Sequence, residues 1–124
     1  MKASKQAYDG EIFSIEFYVG EDGSSPAEDW LESQPLKMQL KLAALFKMLG
    51  DVGKIFNEQK FKHLTGSDQL FEFKADQGRV LCFFFVGKRV ILTHGFLKKS
   101  DKTPKGEIER AEKAKADFTA RSRR

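Results

Sequence analysis

The sequence predicts an α+β fold, in which helices pack on a sheet whose central strands are antiparallel. Three observations predict it: hydrophobic alternation at residues 12–19, helical patterns on both sides of Pro35, and closely spaced apolar strands at residues 70–97. The predicted element order is β-α-α-β-β-β-α. Because 124 residues suit one domain, we expect residues 1–124 to fold as a single unit, with frayed ends at residues 1–9 and 119–124.

The first strand and the first helix are predicted from local signals. The strand comes from the alternation at residues 12–19, and a turn at residues 20–23 ends it. The helix is predicted to begin with Ser25 as N-cap of a capping box with Glu28, and with Pro26 at the first helical position. Pro35 ends it. The apolar face of the strand comprises Phe13, Ile15, Phe17 and Val19.

Two further helices are predicted from helical spacing. One runs from about Leu36 to Leu49, with Gly50 as its C-cap. Its buried face is expected to comprise Leu36, Leu40, Ala43, Phe46, and Leu49 or Ala44. The last helix is predicted to begin with Thr103 as N-cap and Pro104 at the first position. Its thin apolar stripe comprises Ile108, Ala111, Ala114 or Lys115, and Phe118.

Three strands are predicted between these two helices. Residues 70–74 alternate, residues 80–86 are apolar throughout, as expected for a strand covered on both faces, and residues 89–97 return. Residues 75–78 form the first turn, and Gly87-Lys88 forms a two-residue hairpin loop. These turns predict the cross-strand pairs: Lys74 with Arg79, Glu72 with Leu81, Val86 with Arg89, Leu81 with His94, and Arg79 with Phe96.

Composition limits the class of protein. Hydrophobic residues make up 40% and Phe alone accounts for 12 residues, which favours a packed core over intrinsic disorder. The uncharged stretches are too short to span a bilayer and no secretion signal opens the chain, so we expect a soluble, cytoplasmic protein. A single cysteine, Cys82, excludes an intramolecular disulfide and a multi-cysteine zinc site. With only His63 and His94 besides, neither a metal site nor a cofactor is predicted.

The charges are unevenly placed around a net value of +4. Residues 36–97 and residues 98–124 each carry ten basic and five acidic residues, which predicts a surface for a polyanion. The front of the chain is a second surface or simply a solvated face. Between residues 6 and 35 it has no basic residue and eight acidic ones: Asp9, Glu11, Glu16, Glu21, Asp22, Glu28, Asp29 and Glu32.

The predicted register brings together a set of polar residues that could act on an anionic substrate. One sheet face receives Glu72, Lys74, Arg79 and His94, and Lys98 lies beyond the end of the last strand. Cleavage of RNA through its own 2′-hydroxyl needs a base, an acid and stabilisation of the phosphorane charge. Arginine clamps phosphate, lysine supplies charge or a titrating group, and histidine is an acid or base near neutral pH.

Each of these residues also has a structural interpretation. Glu72 suits a cross-strand ion pair with Lys74 and Arg79, and His94 suits a structural histidine within an apolar strand. The remaining basic residues suit a solvated helix entry: Lys98, Lys99, Lys102 and Lys105.

Four segments resemble the phage-derived branch of the RelE/HigB-type toxins: LFEFK (residues 70–74), GRVLCFFF (78–85), VILTHGFLKKSDKTP (90–104) and EIERA (107–111). That branch carries a W-E-L-R strand, an R-V-x-Y strand, and an H-G-F-x-K-K-x-x-K-T-P segment that leads into an E-I-x-x-A helix. The close match spans about residues 64–114, and the front half agrees in pattern only.

The resemblance implies a small RelE-like α+β fold, the toxin of a type II toxin–antitoxin pair, and ribosome-dependent mRNA cleavage. It also implies an antitoxin partner, often a helix-turn-helix DNA-binding protein encoded alongside. Arg79 matches the family's strand arginine, Glu72 its strand acid, and Lys98, Lys99 and Lys102 its basic segment. Lys74 and Cys82 depart from the usual Arg and the common Tyr, and so remove a phosphate clamp and a stacking or proton-handling group.

The leading hypothesis is therefore an mRNA endonuclease toxin that acts without a metal and has no membrane association. Its predicted catalytic residues are Arg79, His94, Glu72 and Lys98, and its predicted RNA-binding residues are Lys74, Lys99, Lys102 and Lys105. The alternative, motivated by Lys74 and Cys82, is a non-catalytic RNA- or partner-binding protein that retains the fold. A DNA-binding regulator is a weaker hypothesis because no recognition helix is apparent.

Overall fold

The structure, a computed structural model, describes residues 2–123 and contains one six-stranded sheet and three helices within them. The strands are β1 Ser4–Asp9, β2 Ser14–Tyr18, β3 Phe61–His63, β4 Phe71–Ala75, β5 Gly78–Phe85 and β6 Arg89–Leu97. The helices are α1 Pro26–Glu32, α2 Leu36–Val52 and α3 Lys105–Ser122. The predicted α+β class is confirmed, as is the small α+β architecture that the resemblance implies.

The sheet has the strand order β1-β2-β6-β5-β4-β3. β2 and β6 are parallel, and the other neighbouring strands pair antiparallel. Helices α1 and α2 cover one face, where Phe46 and Leu49 pack on Phe73 and Cys82. Helix α3 covers the other face, where Phe118 packs on Phe83. None of the helices in residues 2–123 is long and apolar enough to cross a membrane.

The two edge strands, β1 and β3, are absent from the predicted element order. The expected fraying of residues 1–9 is wrong for residues 4–9, which pair with β2 from Ser4 opposite Tyr18 to Asp9 opposite Ser14. β3 is only three residues long and pairs with β4. Both segments are largely polar and lack a clear apolar alternation, so their stability comes from the neighbouring strand rather than from a local pattern. Met1 lies outside the described residues.

The expected fraying of residues 119–124 is also wrong, because α3 continues to Ser122. Arg121 holds this end, since its guanidinium donates to the Asp117 carboxylate at 3.2 Å and to the carbonyl oxygen of Val19. The predicted apolar stripe is confirmed in Ala111, Ala114 and Phe118, which are buried, and Ile108 is partly buried. Arg124 lies outside the described residues.

The helix ends differ from prediction in three places. Pro26 begins α1 as predicted, but Ser25 makes no capping hydrogen bond, so the capping box is wrong. Helix α2 ends at Val52 and its C-cap is Gly53, whose φ of 86° is the left-handed conformation of a glycine C-cap, whereas Gly50 remains helical. Helix α3 has Pro104, not Thr103, as its N-cap, because the Thr103 hydroxyl bonds elsewhere.

The predicted buried face of α2 is wrong at its N-terminal half. Phe46 and Leu49 are buried as expected, but Leu36 and Leu40 are 68% and 61% exposed. Ala43 and Ala44 are exposed as well. The buried face is instead Leu42, Leu45, Phe46 and Leu49. Helical spacing alone does not distinguish these two apolar stripes, since both satisfy it.

The β5–β6 hairpin contains two departures from the predicted register that cancel. The loop has three residues, so Phe85 rather than Val86 faces Arg89. A bulge at Thr93 then adds one residue to β6, and the predicted pairs Leu81–His94 and Arg79–Phe96 are confirmed. The pairs Lys74–Arg79 and Glu72–Leu81 between β4 and β5 are confirmed too. Strand β5 is covered on both faces over Val80–Phe83, whereas Phe84 and Val86 are exposed.

Replacing Gly95 by alanine should destabilise the protein. A Cβ at Gly95 would overlap ring atoms of Trp30, the α1 side chain that packs on β6. Overpacking of this kind costs about 1–3 kcal/mol, measurable as a lower midpoint in urea unfolding. The matched control is Gly106→Ala, where nothing lies within 4 Å of the new Cβ. A Gly95→Ala variant as stable as this control would contradict the packing described.

Candidate functional site

The predicted clustering on one sheet face is observed, on the α3 side. Leu81 and Phe83 of β5 point into the α3 core, so Arg79 on the same strand shares their face. Cross-strand partners share a face, so Glu72 opposite Leu81 and Lys74 opposite Arg79 lie there as well.

Lys62 joins this group from β3, where it pairs with Glu72. The resulting basic cluster comprises Lys62, Lys74, Arg79 and Lys98, gathered around Glu72.

Glu72 is fully buried and connects three parts of the chain. Its Oε2 accepts a hydrogen bond from the Thr103 hydroxyl at 2.7 Å. Its Oε1 lies 3.7 Å from Nε of Arg79, and within the described part of the chain neither of these two atoms has a hydrogen-bond partner. An ionised carboxylate is costly to bury without compensation, so the cations around Glu72 are part of its stabilisation.

Arg79 is held by the turn that precedes it. Its Nη1 donates to the carbonyl oxygens of Asp76 and Gly78 at 2.8 and 2.9 Å. The guanidinium is therefore anchored at one end, with only 13% of the side chain exposed. Among residues 2–123, the side-chain hydrogen bonds of Arg79 use Nη1 only.

Lys74 and Lys98 complete the cluster. Burial lowers the pKa of Lys74, and the charges of Lys62, Arg79 and Lys98 lower it further, against the opposing effect of Glu72. The backbone N–H of Lys98 donates to the Gln77 carbonyl at 2.8 Å, and the residue is only 7% exposed. This crowding of positive charge favours binding of an anion, which would relieve the repulsion.

A small cavity of about 210 Å³ opens beside the cluster. Its lining includes Lys62, Lys98, Lys102 and Thr103. Lys102 therefore lies beside the cluster, and its predicted role in RNA binding stays a prediction. Lys99 is exposed on the loop before α3, and Lys105 lines a different groove, between α3 and the loop at residues 66–69.

His94 shares the sheet face but not the cluster. It is 1% exposed, with Nδ1 3.1 Å from the Thr93 hydroxyl and Nε2 3.0 Å from Oε1 of Glu107. Burial and the charge of Arg110 lower the pKa of His94, although Glu107 acts in the opposite direction. Both ring nitrogens therefore have partners that belong to the fold.

Sequence reasoning missed Lys62 and Thr103. Lys62 was missed because β3 is too short to be predicted, although the alternation in Phe61-Lys62-His63 is a weak signal. Thr103 stands where a helix cap is expected, and only the folded chain brings its hydroxyl to Glu72.

Cys82 is buried on the opposite, α2 face of the sheet. The Cys82 departure from the family motif therefore removes no group from the basic cluster. Burial raises the pKa of the Cys82 thiol. In residues 2–123, no three His, Cys, Asp or Glu side chains are grouped so as to hold a metal ion.

The free energy of unfolding should fall as the pH drops from about 7.5 to about 5.5, and His94 should cause part of this fall. Because the pKa of His94 is lower in the folded chain than its ordinary value of about 6.5, the unfolded chain binds more protons between the two values. Stability is therefore fully present above the ordinary value and is lost below it.

His94→Asn should flatten this pH dependence, measured by urea unfolding at a series of pH values. His63→Asn is the control, since His63 is exposed, and it should leave the slope intact. An unchanged slope in His94→Asn would contradict the assignment.

Comparison with known proteins gives one family. Residues 29–116 match the family described as "Phage derived protein Gp49-like (DUF891)". The match spans more than half of the chain and includes every residue of the basic cluster, together with Glu72 and Thr103. No curated protein matches the chain at a significant level. The protein therefore belongs to the Gp49-like family of phage-derived proteins.

Proposed function

We propose that this protein is the toxin of a type II toxin–antitoxin module and that it cleaves translated mRNA at the ribosome. The basic cluster carries the proposal, because it gathers four cations at one end of the sheet around a single buried carboxylate. The phosphate backbone of RNA is a polyanion that such a cluster attracts. Membership of a phage-derived, toxin-like family supports the same function.

In the proposed reaction, the ribose 2′-oxygen attacks the adjacent phosphorus and the bond to the 5′-oxygen breaks. The products are a 2′,3′-cyclic phosphate and a 5′-hydroxyl. A base accepts the proton of the 2′-hydroxyl, and an acid returns a proton to the leaving oxygen. This chemistry requires no metal, only stabilisation of the phosphorane charge.

The cluster offers groups for two of these requirements, charge stabilisation and the base, and solvent water supplies the proton of the leaving oxygen. Arg79 is anchored through Nη1, which leaves Nη2 for a phosphate oxygen. Lys98 adds positive charge where the phosphorane forms. Lys74 is the strongest candidate for the base, because its lowered pKa gives it a larger neutral fraction than an ordinary lysine has.

Glu72 and His94, the two other predicted catalytic groups, have different surroundings. Glu72 is fully buried, so we propose that it acts by holding Arg79 and Thr103 in place. His94 is covered by α3 and paired with Glu107, so it would reach a substrate only after the first turn of α3 moved. Lys99 and Lys102 would contact phosphates next to the one that is cleaved, and Lys105 would contact phosphates further along the RNA.

The partners follow from the same proposal. They are mRNA and the ribosome, and an antitoxin encoded alongside, expected to be a helix-turn-helix DNA-binding protein. The site of action would be the cytoplasm.

The burial of Glu72 and His94 also favours a second candidate function. A protein whose acid and histidine are both engaged within the fold could bind RNA or the ribosome through its cations without cleaving. Binding of this kind would weaken steeply with salt and leave no new RNA ends.

Expression of the protein in a bacterial host should arrest growth and create new 5′-hydroxyl ends in translated mRNA. Arg79→Ala should restore growth and lower the cleavage rate by about 100-fold or more, because the phosphorane loses its main counter-charge. Arg79→Lys should be intermediate, since it keeps the charge and loses the fork. Exposed Arg123, outside the cluster, gives the control Arg123→Ala, which should remain toxic.

Growth arrest without new ends would favour the second candidate, and normal growth with intact mRNA would reject the toxin function.

The pH dependence of cleavage should report the titration of Lys74. Lys62→Gln removes a neighbouring positive charge, so it should raise the pKa of Lys74 and shift the alkaline rise in single-turnover rate to higher pH. Lys74→Arg should abolish the rise, because arginine stays protonated. Lys54→Gln, at an exposed position outside the cluster, should reproduce the wild-type profile. A profile unaffected by Lys62→Gln would remove Lys74 as the base.

A further inference from the structure

Helix α2 carries an apolar ridge that faces solvent. The ridge consists of residues four apart along the whole helix, and we call it the α2 ridge: Leu36, Leu40, Ala44, Met48 and Val52. Its four large members are 68%, 61%, 45% and 63% exposed. At a rise of about 1.5 Å per residue the ridge is about 24 Å long. Contiguous exposed apolar surface of this kind is uncommon on monomeric proteins and often marks an interaction site.

A groove runs beside the ridge, between α2 and strand β4. Its volume is about 470 Å³, and Ala44 and Met48 of the ridge line it together with Leu45 and Ala75. Ridge and groove are therefore one continuous surface. In helix packing, a row of side chains four residues apart fits between the corresponding rows of a second helix.

The border of this surface is positively charged. Lys41, Lys60 and Lys74 line the groove with one acid, Asp76, which Lys41 binds at 2.9 Å. Lys41 and, more weakly, Lys37 lower the pKa of Asp76, which places Lys37 at the same border. Four lysines against one aspartate leave an excess of positive charge.

We propose that the α2 ridge and its groove dock an amphipathic helix of another protein, with an apolar stripe flanked by Asp and Glu residues. The apolar ridge provides the contact that buries area, and the lysines pair with the acidic flanks. A second copy of this chain fits less well, because a two-fold contact through the ridge would bring the same lysines together. Nucleic acid fits less well, because phosphates gain nothing from an apolar ridge.

Apart from Lys74, which borders both surfaces, this surface lies on the face of the sheet opposite to Glu72, so the inference does not rest on the proposed function. The proposed docking also explains why Leu36 and Leu40 are apolar although they are exposed and do not belong to the hydrophobic core.

The test uses two labelled helical peptides of the length of α2 that share one leucine-rich stripe. One peptide has glutamate flanks and the other has lysine flanks. Fluorescence anisotropy should show binding of the glutamate peptide and at least tenfold weaker binding of the lysine peptide, a difference of about 1.4 kcal/mol. Hydrogen exchange should show protection in α2 and not in α3.

Variants of the ridge and its border make the test specific. Leu40→Gln with Met48→Gln should weaken the glutamate peptide about tenfold, equal to about 1.4 kcal/mol, without loss of folding. Val86→Gln is the matched control, as Val86 is 79% exposed outside the ridge. Lys37→Glu with Lys60→Glu should reverse the preference between the two peptides.

Three results would overturn the proposal: no binding of the glutamate peptide up to about 1 mM, equal affinity for both peptides, or a homodimer in sedimentation that Leu40→Gln dissociates. Arg79→Ala should leave peptide binding unchanged, so this test stands or fails independently of RNA cleavage.

Discussion

The buried carboxylate of Glu72 is the constraint on which the candidate site depends. Glu72 is fully buried because it lies on β4, an interior strand between β3 and β5. A charge in this position destabilises the fold unless cations and donors surround it. Arg79 from β5 and Thr103 from the segment before α3 do so directly. One residue thus connects the sheet to the start of α3 and lies at the centre of the basic cluster.

Helices cover both faces of the sheet, and this arrangement places the basic cluster and the α2 ridge on different faces. Strand β5 places Cys82 in the α2 core and Leu81 in the α3 core, so neighbouring residues serve different layers. The basic cluster belongs to the α3 face and the α2 ridge to the other. The proposed RNA-binding site and the proposed protein-docking surface therefore share few side chains, of which Lys74 is one.

Six of the eight acids at the front of the chain are exposed, as expected for a solvated face, and the other two, Glu16 and Glu28, take part in the fold. Glu16 is buried and forms a two-pronged pair with Arg89 at 2.8 and 2.9 Å, which locks the parallel contact between β2 and β6. Glu28 pairs with Lys5 of β1. Glu16 and Glu28 therefore help to stabilise the side of the sheet that contains β1 and β2. The basic cluster lies on the other side, which contains β4 and β3. Part of the acidic charge therefore stabilises the β1 side of the sheet, whereas the basic cluster lies towards the β3 side.

The sequence by itself determined the central hairpins, the three helices, and the shared face of Glu72, Lys74 and Arg79. Alternation and turn residues are enough to pair adjacent strands and to locate the helices, although they did not predict the three-residue loop and the Thr93 bulge of the β5–β6 hairpin. Only the tertiary structure decided which stripe of α2 is buried, since Leu36 and Leu40 satisfy helical spacing as well as Leu42 and Leu45 do. It also decided the edge strands, the pairing of His94 with Glu107, and the diversion of Thr103 from a helix cap to Glu72. Each of these depends on a partner distant in the chain, and a local pattern carries no information about that partner.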